Sequence, residues 1–116
     1  MKSLSIQQMP LELSLTLEKL GADIRRARLR RGITQEDLAK RVMINRKTLI
    51  QLEKGSPEVG IGILLRTLNV LGIDETFKNL ASPEMDKTGQ VLEARRLPKR
   101  AGRTKRLSDH LKKGVK

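Results

Sequence analysis

The sequence has no cysteine, tryptophan or tyrosine, and its only phenylalanine is Phe77. Without cysteine the chain forms neither disulfide bonds nor thiolate metal sites, which is typical of a protein from a reducing cytoplasm, where we expect it. With a single aromatic residue the core must be largely aliphatic, and the rows of aromatic rings on which single-strand-binding proteins stack bases are missing. No apolar run is long enough for a signal peptide or a membrane span. If nucleic acid is the ligand, these absences favour a duplex.

Residues that carry catalysis are equally scarce. His110 is the only histidine, and no carboxylate cluster or glycine-rich phosphate loop accompanies it. Catalysis needs a nucleophile with its base, a pair of carboxylates in a cleft, or a metal cluster. We therefore predict that the protein is not an enzyme and that it uses no metal and no cofactor.

Basic residues are the most abundant functional feature. The chain has 25 Lys and Arg against 13 Asp and Glu, a formal net charge of +12. A charge of this size favours a polyanionic partner, and nucleic acid is the preferred one. Asp109 is the only acid after residue 94, a stretch that is otherwise rich in Lys and Arg. This basic end is either an arm that seeks phosphates or a solvated run of charge.

The apolar residues repeat at helical spacing and predict five helices with short connections. The first begins near Leu13 and ends at Gly32, and Gly21 is expected to weaken its middle. Thr34 opens the second, Asn45 caps a third that runs to about Lys54, and the others cover 61–71 and 74–80. We predict an all-α domain over residues 13–81, a flexible N-terminal arm over 1–12, and a largely disordered basic tail over 82–116. Within that tail, residues 91–92 belong either to one more short helix or to a segment that contacts a partner.

The second and third predicted helices are joined by a tight turn. The small side chain of Ala39 allows the two helices to cross closely, and apolar residues around the crossing hold its angle: Leu38, Val42, Ile44, Leu49 and Leu52. This is a helix-turn-helix arrangement, in which the second helix enters the major groove of DNA with its N-terminus first.

Four segments together resemble the XRE family of lambda repressor-like and Cro-like proteins: residues 28–32, ITQEDLAKRV, NRKTLIQLEKG and TLNVLGI. The resemblance covers about residues 17–80 and implies a five-helix lambda-repressor-like fold. One position departs from the family, because Met43 stands where the turn usually has glycine. A left-handed backbone is strained at a non-glycine residue, so either the turn differs or the strain is tolerated.

The resemblance also implies roles for individual residues on double-stranded DNA. Arg46, Lys47 and Gln51 occupy base-reading positions, and Gln35 occupies a phosphate-binding position at a helix start. Thr48 would reach a thymine methyl group or a phosphate, and Asn45 completes the DNA-binding set beside its capping role. The resemblance further implies an internal salt bridge between Arg28 and Glu53.

Within this family, the sequence is most similar to HipB-type antitoxins. That similarity comes from LEKLGADIRRARLRRGITQEDLA, the SPEVGIG that follows the third helix, and a later RLPKR. It implies a HipA-like serine/threonine kinase toxin as partner. Independently of that similarity, the limited contact area of one helix-turn-helix module predicts a homodimer on a palindromic operator. Ile73, Phe77 and Leu80 are candidates for the dimer interface or for closing the core of the monomer. A stand-alone XRE-type regulator and a pure interaction protein are the alternatives.

Overall fold

The structure is a computed structural model that describes residues 9–96, and its α-helices agree with the predicted fold class. The α-helices are α1 (Leu11–Arg30), α2 (Gln35–Val42), α3 (Arg46–Glu53), α4 (Ile61–Leu71) and α5 (Lys87–Arg96). Two short 3-10 helices, Phe77–Asn79 and Pro83–Met85, lie between α4 and α5, and residues 9–96 contain no β-strand. The described residues divide into two compact units, 9–77 and 78–96.

The helix ends in the first unit follow the local signals of the sequence. The Thr34 side chain accepts a hydrogen bond from the Asp37 N–H at 3.0 Å, and Asn45 Oδ1 accepts one from the Thr48 N–H at 2.7 Å. Each cap satisfies a backbone donor that has no partner inside the helix. Gly32, after α1, has a φ of 63°, in the left-handed region where glycine is least strained. Helix α1 itself begins at Leu11, two residues before the predicted start.

The core of the first unit is aliphatic, as the composition requires. Its buried members come from α1 to α4: Ile24, Leu38, Ala39, Val42, Leu49, Leu52 and Leu71. Ala39 is only 3% exposed and α2 packs against α3, as expected if the small side chain of Ala39 lies at a close crossing of the two helices. The predicted apolar face of α1 is partly buried from Leu17 onward and fully buried at Ile24, whereas Leu13 remains exposed.

Gly21 has a different role from the one predicted. A Cβ atom at this position would lie 2.6 Å from the carbonyl oxygens of Leu52 and Glu53, which is too close for any real contact. Helix α1 continues without a break through Gly21. The glycine therefore lets α1 approach the end of α3 backbone to backbone. The expected weakening of the middle of α1 does not interrupt the helix, and this tertiary contact accounts for a residue of low helix propensity at that position.

The fifth α-helix lies further along the chain than predicted. Instead of a helix over 74–80 there is only the 3-10 helix Phe77–Asn79, because Leu80 is 68% exposed and provides no buried apolar face. Helix α5 falls in the segment predicted to be a largely disordered tail. Asp86 Oδ1 caps it by accepting the Gly89 N–H at 2.8 Å, and it contains the predicted short helix at residues 91–92. The rest of that tail, 97–116, and residues 1–8 of the arm lie outside the described residues.

Candidate nucleic-acid interface

The turn between α2 and α3 is left-handed despite lacking glycine. Met43 has φ 69° and ψ 43°, and its side chain is 83% exposed. The Ile44 N–H donates to the Ala39 carbonyl at 3.0 Å, and Arg66 of α4 donates to the Met43 carbonyl at 3.3 Å. Of the two outcomes left open by the sequence, tolerated strain is the one observed, and these hydrogen bonds hold the strained residue in place.

A buried ion pair fixes the C-terminal end of α3. Arg28 Nε lies 2.7 Å from Glu53 Oε2, and Arg28 Nη2 donates to Glu53 Oε1 at 3.2 Å, so the pair is bidentate. The third donor, Arg28 Nη1, reaches the Ile33 carbonyl at 2.8 Å. Both side chains are more than nine-tenths buried. This confirms the predicted salt bridge, which locks the end of α3 to α1.

Gln35, the predicted phosphate ligand, belongs to the same network. Its Nε2 donates to Glu53 Oε1 at 3.0 Å, and the side chain is half-buried. A side-chain amide carries two N–H donors, so one is used by Glu53 and the other is available. The network therefore orients the amide of Gln35 at the start of α2.

The N-terminal end of α3 presents positive charge to solvent. Arg46 and Lys47 are the first two residues of the helix, and both are exposed. Among residues 9–96 neither takes part in an ion pair or in a side-chain hydrogen bond. Gln51 lies four residues after Lys47 and is half-buried, whereas Leu49 and Leu52 point into the core. Arg46, Lys47 and Gln51 are thus on the side of α3 away from the core.

Asn45 and Thr48 bond to each other at the start of α3. Asn45 Oδ1 accepts both the backbone N–H of Thr48 and its hydroxyl, the latter at 2.8 Å. The side-chain oxygen of Asn45 and the hydroxyl proton of Thr48 are therefore already hydrogen-bonded within the protein. For a ligand, Asn45 still has its side-chain amide N–H donors and Thr48 still has its methyl group.

Arg25 was not predicted from the sequence as a site residue. It borders an open cleft of about 440 Å³ whose other lining residues are Arg28, Thr34, Gln35, Glu36 and Arg46. The signal that could have found it is its spacing, because Arg25 lies one helical turn before Arg28 on α1 and so shares its side of the helix. The structure brings Arg25, Gln35 and Arg46 to one place.

The described part of the chain offers neither a metal site nor a membrane span. Residues 9–96 contain no group of three or more His, Cys, Asp or Glu side chains arranged to hold a metal ion. In the same range, no helix combines the length and the apolar character that crossing a membrane requires.

Comparison with known proteins agrees with this geometry. A helix-turn-helix family model matches residues 24–78, which include the last third of α1, then α2, the turn, α3 and α4. No curated protein matches the chain. The matched segment holds the crossing at Ala39, the left-handed turn at Met43 and the outward face of α3. Residues 24–78 therefore form a helix-turn-helix domain of the XRE family, the kind of domain that DNA-binding transcriptional regulators contain.

Proposed function

We propose that the protein is a sequence-specific repressor that reads the major groove of double-stranded DNA with α3. The observation that carries this proposal is the asymmetry of α3. Its C-terminal end is fixed by the buried pair of Arg28 and Glu53, while Arg46 and Lys47 at its N-terminal end are exposed and unpaired within residues 9–96. A helix held at one end, with free donors at the other, suits insertion into a groove lined by acceptors.

The chemistry of this face assigns a role to each side chain. Arg46 and Lys47 donate to the O6 and N7 atoms of guanine, and Gln51 pairs bidentately with adenine. The free amide N–H groups of Asn45 and Gln35 donate to phosphate oxygens. Such contacts fix the position of the protein on the duplex but do not read its sequence. Because its hydroxyl proton is bonded to Asn45, Thr48 contributes its methyl group to a thymine methyl contact.

Repression by this domain requires two copies in our proposal. A homodimer places two recognition helices about 34–36 Å apart on a palindromic operator, one turn of DNA. Ile73 is 41% exposed and Leu80 is 68% exposed, so both are apolar surface that a second copy would cover, and Phe77 is half-buried. Bound near a promoter in the cytoplasm, the dimer blocks polymerase by occupancy and performs no catalysis.

We also propose the narrower role of a HipB-like antitoxin that binds and neutralises a HipA-like kinase. The sequence similarity to HipB-type proteins supports it, and so does α5, in which no residue is buried. Val91 and Leu92 are each about half exposed, so α5 has apolar surface for a partner. The second candidate, a stand-alone XRE-type regulator, rests on the DNA-binding domain alone, which both kinds of protein share.

The test of DNA reading is Arg46→Ala, with Arg30→Ala as the matched control because Arg30 is also an exposed arginine. Duplexes are first selected from a random pool with the wild-type protein, and affinities are then measured on the selected and on scrambled sequences. Arg46→Ala should lose about 1–3 kcal/mol on the selected duplex and relax one base position. Equal losses on every sequence would refute base reading. Absence of duplex binding even at low salt would favour the interaction-only protein.

The test of the antitoxin role removes residues 97–116. If a HipA-like kinase is captured by the full chain, the antitoxin role is supported. Loss of capture by the shortened chain, with DNA affinity kept, assigns the contact to residues 97–116, and capture by both chains assigns it to the rest of the chain, which includes the exposed Val91 and Leu92 of α5. If the full chain captures no kinase and still represses a reporter, the stand-alone regulator is correct.

A further inference from the structure

The cleft between α1 and the starts of α2 and α3, named here the Arg25 cleft, contains more positive charge than the fold uses. Its lining residues are Arg25, Arg28, Thr34, Gln35, Glu36 and Arg46. We propose that it binds a phosphate of the DNA backbone and that Arg25 is the residue that grips this phosphate. This inference rests on the proposed function and adds a ligand group and a contact residue to it.

The charges that line the cleft do not cancel. Arg28 is neutralised by Glu53 through the buried bidentate pair. Glu36 is the only acid of the lining, and its carboxylate lies 3.8 Å from the ammonium group of Lys40. Arg25 and Arg46 form no ion pair within residues 9–96. Two uncompensated guanidinium groups therefore border one cleft, and an anion between them relieves their mutual repulsion.

Phosphate is the anion that fits this arrangement. A guanidinium group offers parallel N–H donors that match two oxygens of a phosphate, and such bonds are shorter and stronger than neutral ones. The cleft is open to solvent, so a phosphate group can enter it while remaining part of a continuous polymer. At about 440 Å³ it is also larger than a single ion needs. The DNA backbone meets both conditions.

The position of the cleft gives this contact a purpose. Arg46 borders it from the recognition helix, and Gln35 borders it from the start of α2. A phosphate held by Arg25 therefore lies beside the base pair that Arg46 reads. Because phosphate contacts fix register without reading sequence, Arg25 sets where α3 enters the groove.

The experiment compares Arg25→Ala with Arg26→Ala. The two arginines are neighbours on α1, both exposed, and only Arg25 lines the cleft, so the substitutions remove the same charge in different places. Affinity is measured against salt on the selected duplex and on an unrelated one. Arg25→Ala should weaken both about tenfold and lower the slope of log affinity against log salt by about one. Arg26→Ala should leave the slope near that of the wild type.

A second measurement identifies the phosphate. Each duplex carries one neutral methylphosphonate in place of a phosphate, and the position of this replacement is moved along the backbone. At one position per half-site, the replacement should weaken binding of the wild-type protein but cause no further loss of affinity for Arg25→Ala. The assignment of the cleft is overturned if the losses of affinity from the methylphosphonate and from Arg25→Ala add at every position. It is also overturned if Arg25→Ala and Arg26→Ala give equal slopes of log affinity against log salt. Neither result would contradict DNA binding itself. If the wild-type protein binds no duplex, the proposed function itself fails.

Discussion

Replacing Gly21 by alanine tests how α1 positions the recognition helix. The new Cβ atom would lie 2.6 Å from the carbonyl oxygens of Leu52 and Glu53, whereas ordinary contact begins at 3.4 Å, so the backbones must separate by about 0.8 Å. Overpacking of this kind costs roughly 1–3 kcal/mol, and the better helix propensity of alanine returns up to about 1 kcal/mol. The atoms in the way are backbone and cannot rotate aside. We expect a net loss of about 1–2 kcal/mol in the free energy of unfolding.

Gly62→Ala is the matched control, because Gly62 is also a helical glycine and a Cβ atom there would meet nothing within 4 Å. That variant should gain up to about 1 kcal/mol from helix propensity alone. Urea denaturation followed by circular dichroism measures both changes. For Gly21→Ala, the expected loss of about 1–2 kcal/mol in the free energy of unfolding corresponds to a fall in Tm of roughly 4–16 °C in a thermal scan.

The two variants should therefore change stability in opposite directions. If Gly21→Ala is stabilised as much as Gly62→Ala, the close approach of α1 to the end of α3 does not constrain the protein, and the reasoning is refuted. Gly21→Ala should also weaken duplex binding more than its loss of folded population explains, because the shift moves α3 itself.

Two further substitutions test the turn and the buried network. Met43→Gly relieves about 1–2 kcal/mol of left-handed strain, against a glycine entropy cost of about 0.5–1 kcal/mol, so we expect a net gain of roughly 0.5–1 kcal/mol in urea denaturation. Met43→Ala keeps the strain and should change little, since the side chain is exposed; a destabilised Met43→Gly would contradict this account. Glu53→Ala leaves Arg28 as an uncompensated buried cation and should cost about 3–5 kcal/mol by calorimetry. Exposed Glu58→Ala, the control, should stay within about 0.5 kcal/mol, and a similarly small effect of Glu53→Ala would show that the buried pair is unimportant.

The features that were predictable from the sequence are those with local causes. Thr34 and Asn45 cap helices because their side chains reach backbone N–H groups three residues ahead, and Gly32 ends α1 because its φ is positive. The strain at Met43 was recognisable because one residue type is out of place in a known turn. The fold class and the helix-turn-helix follow from such signals.

The features that escaped prediction depend on contacts between distant parts of the chain. Gly21 has the local signature of a weak point, and only the backbone of Leu52 and Glu53, about thirty residues later, makes it a packing site. Leu80 continues a helical spacing, yet it is exposed and supports no helix. Arg25 looks like any surface arginine until α1, α2 and α3 are brought together around the cleft.

The ion pair of Arg28 and Glu53 also limits how this protein can change over evolutionary time. Two apolar residues of similar volume would be tolerated in its place, or even stabilise the fold by about 1–4 kcal/mol. Either change alone strands a charge more than nine-tenths buried, and Glu53 would also have to release Gln35. A lineage that accepts one substitution at a time must therefore pass through an intermediate that is less stable by about 3–5 kcal/mol. We expect the two positions to vary together or not at all.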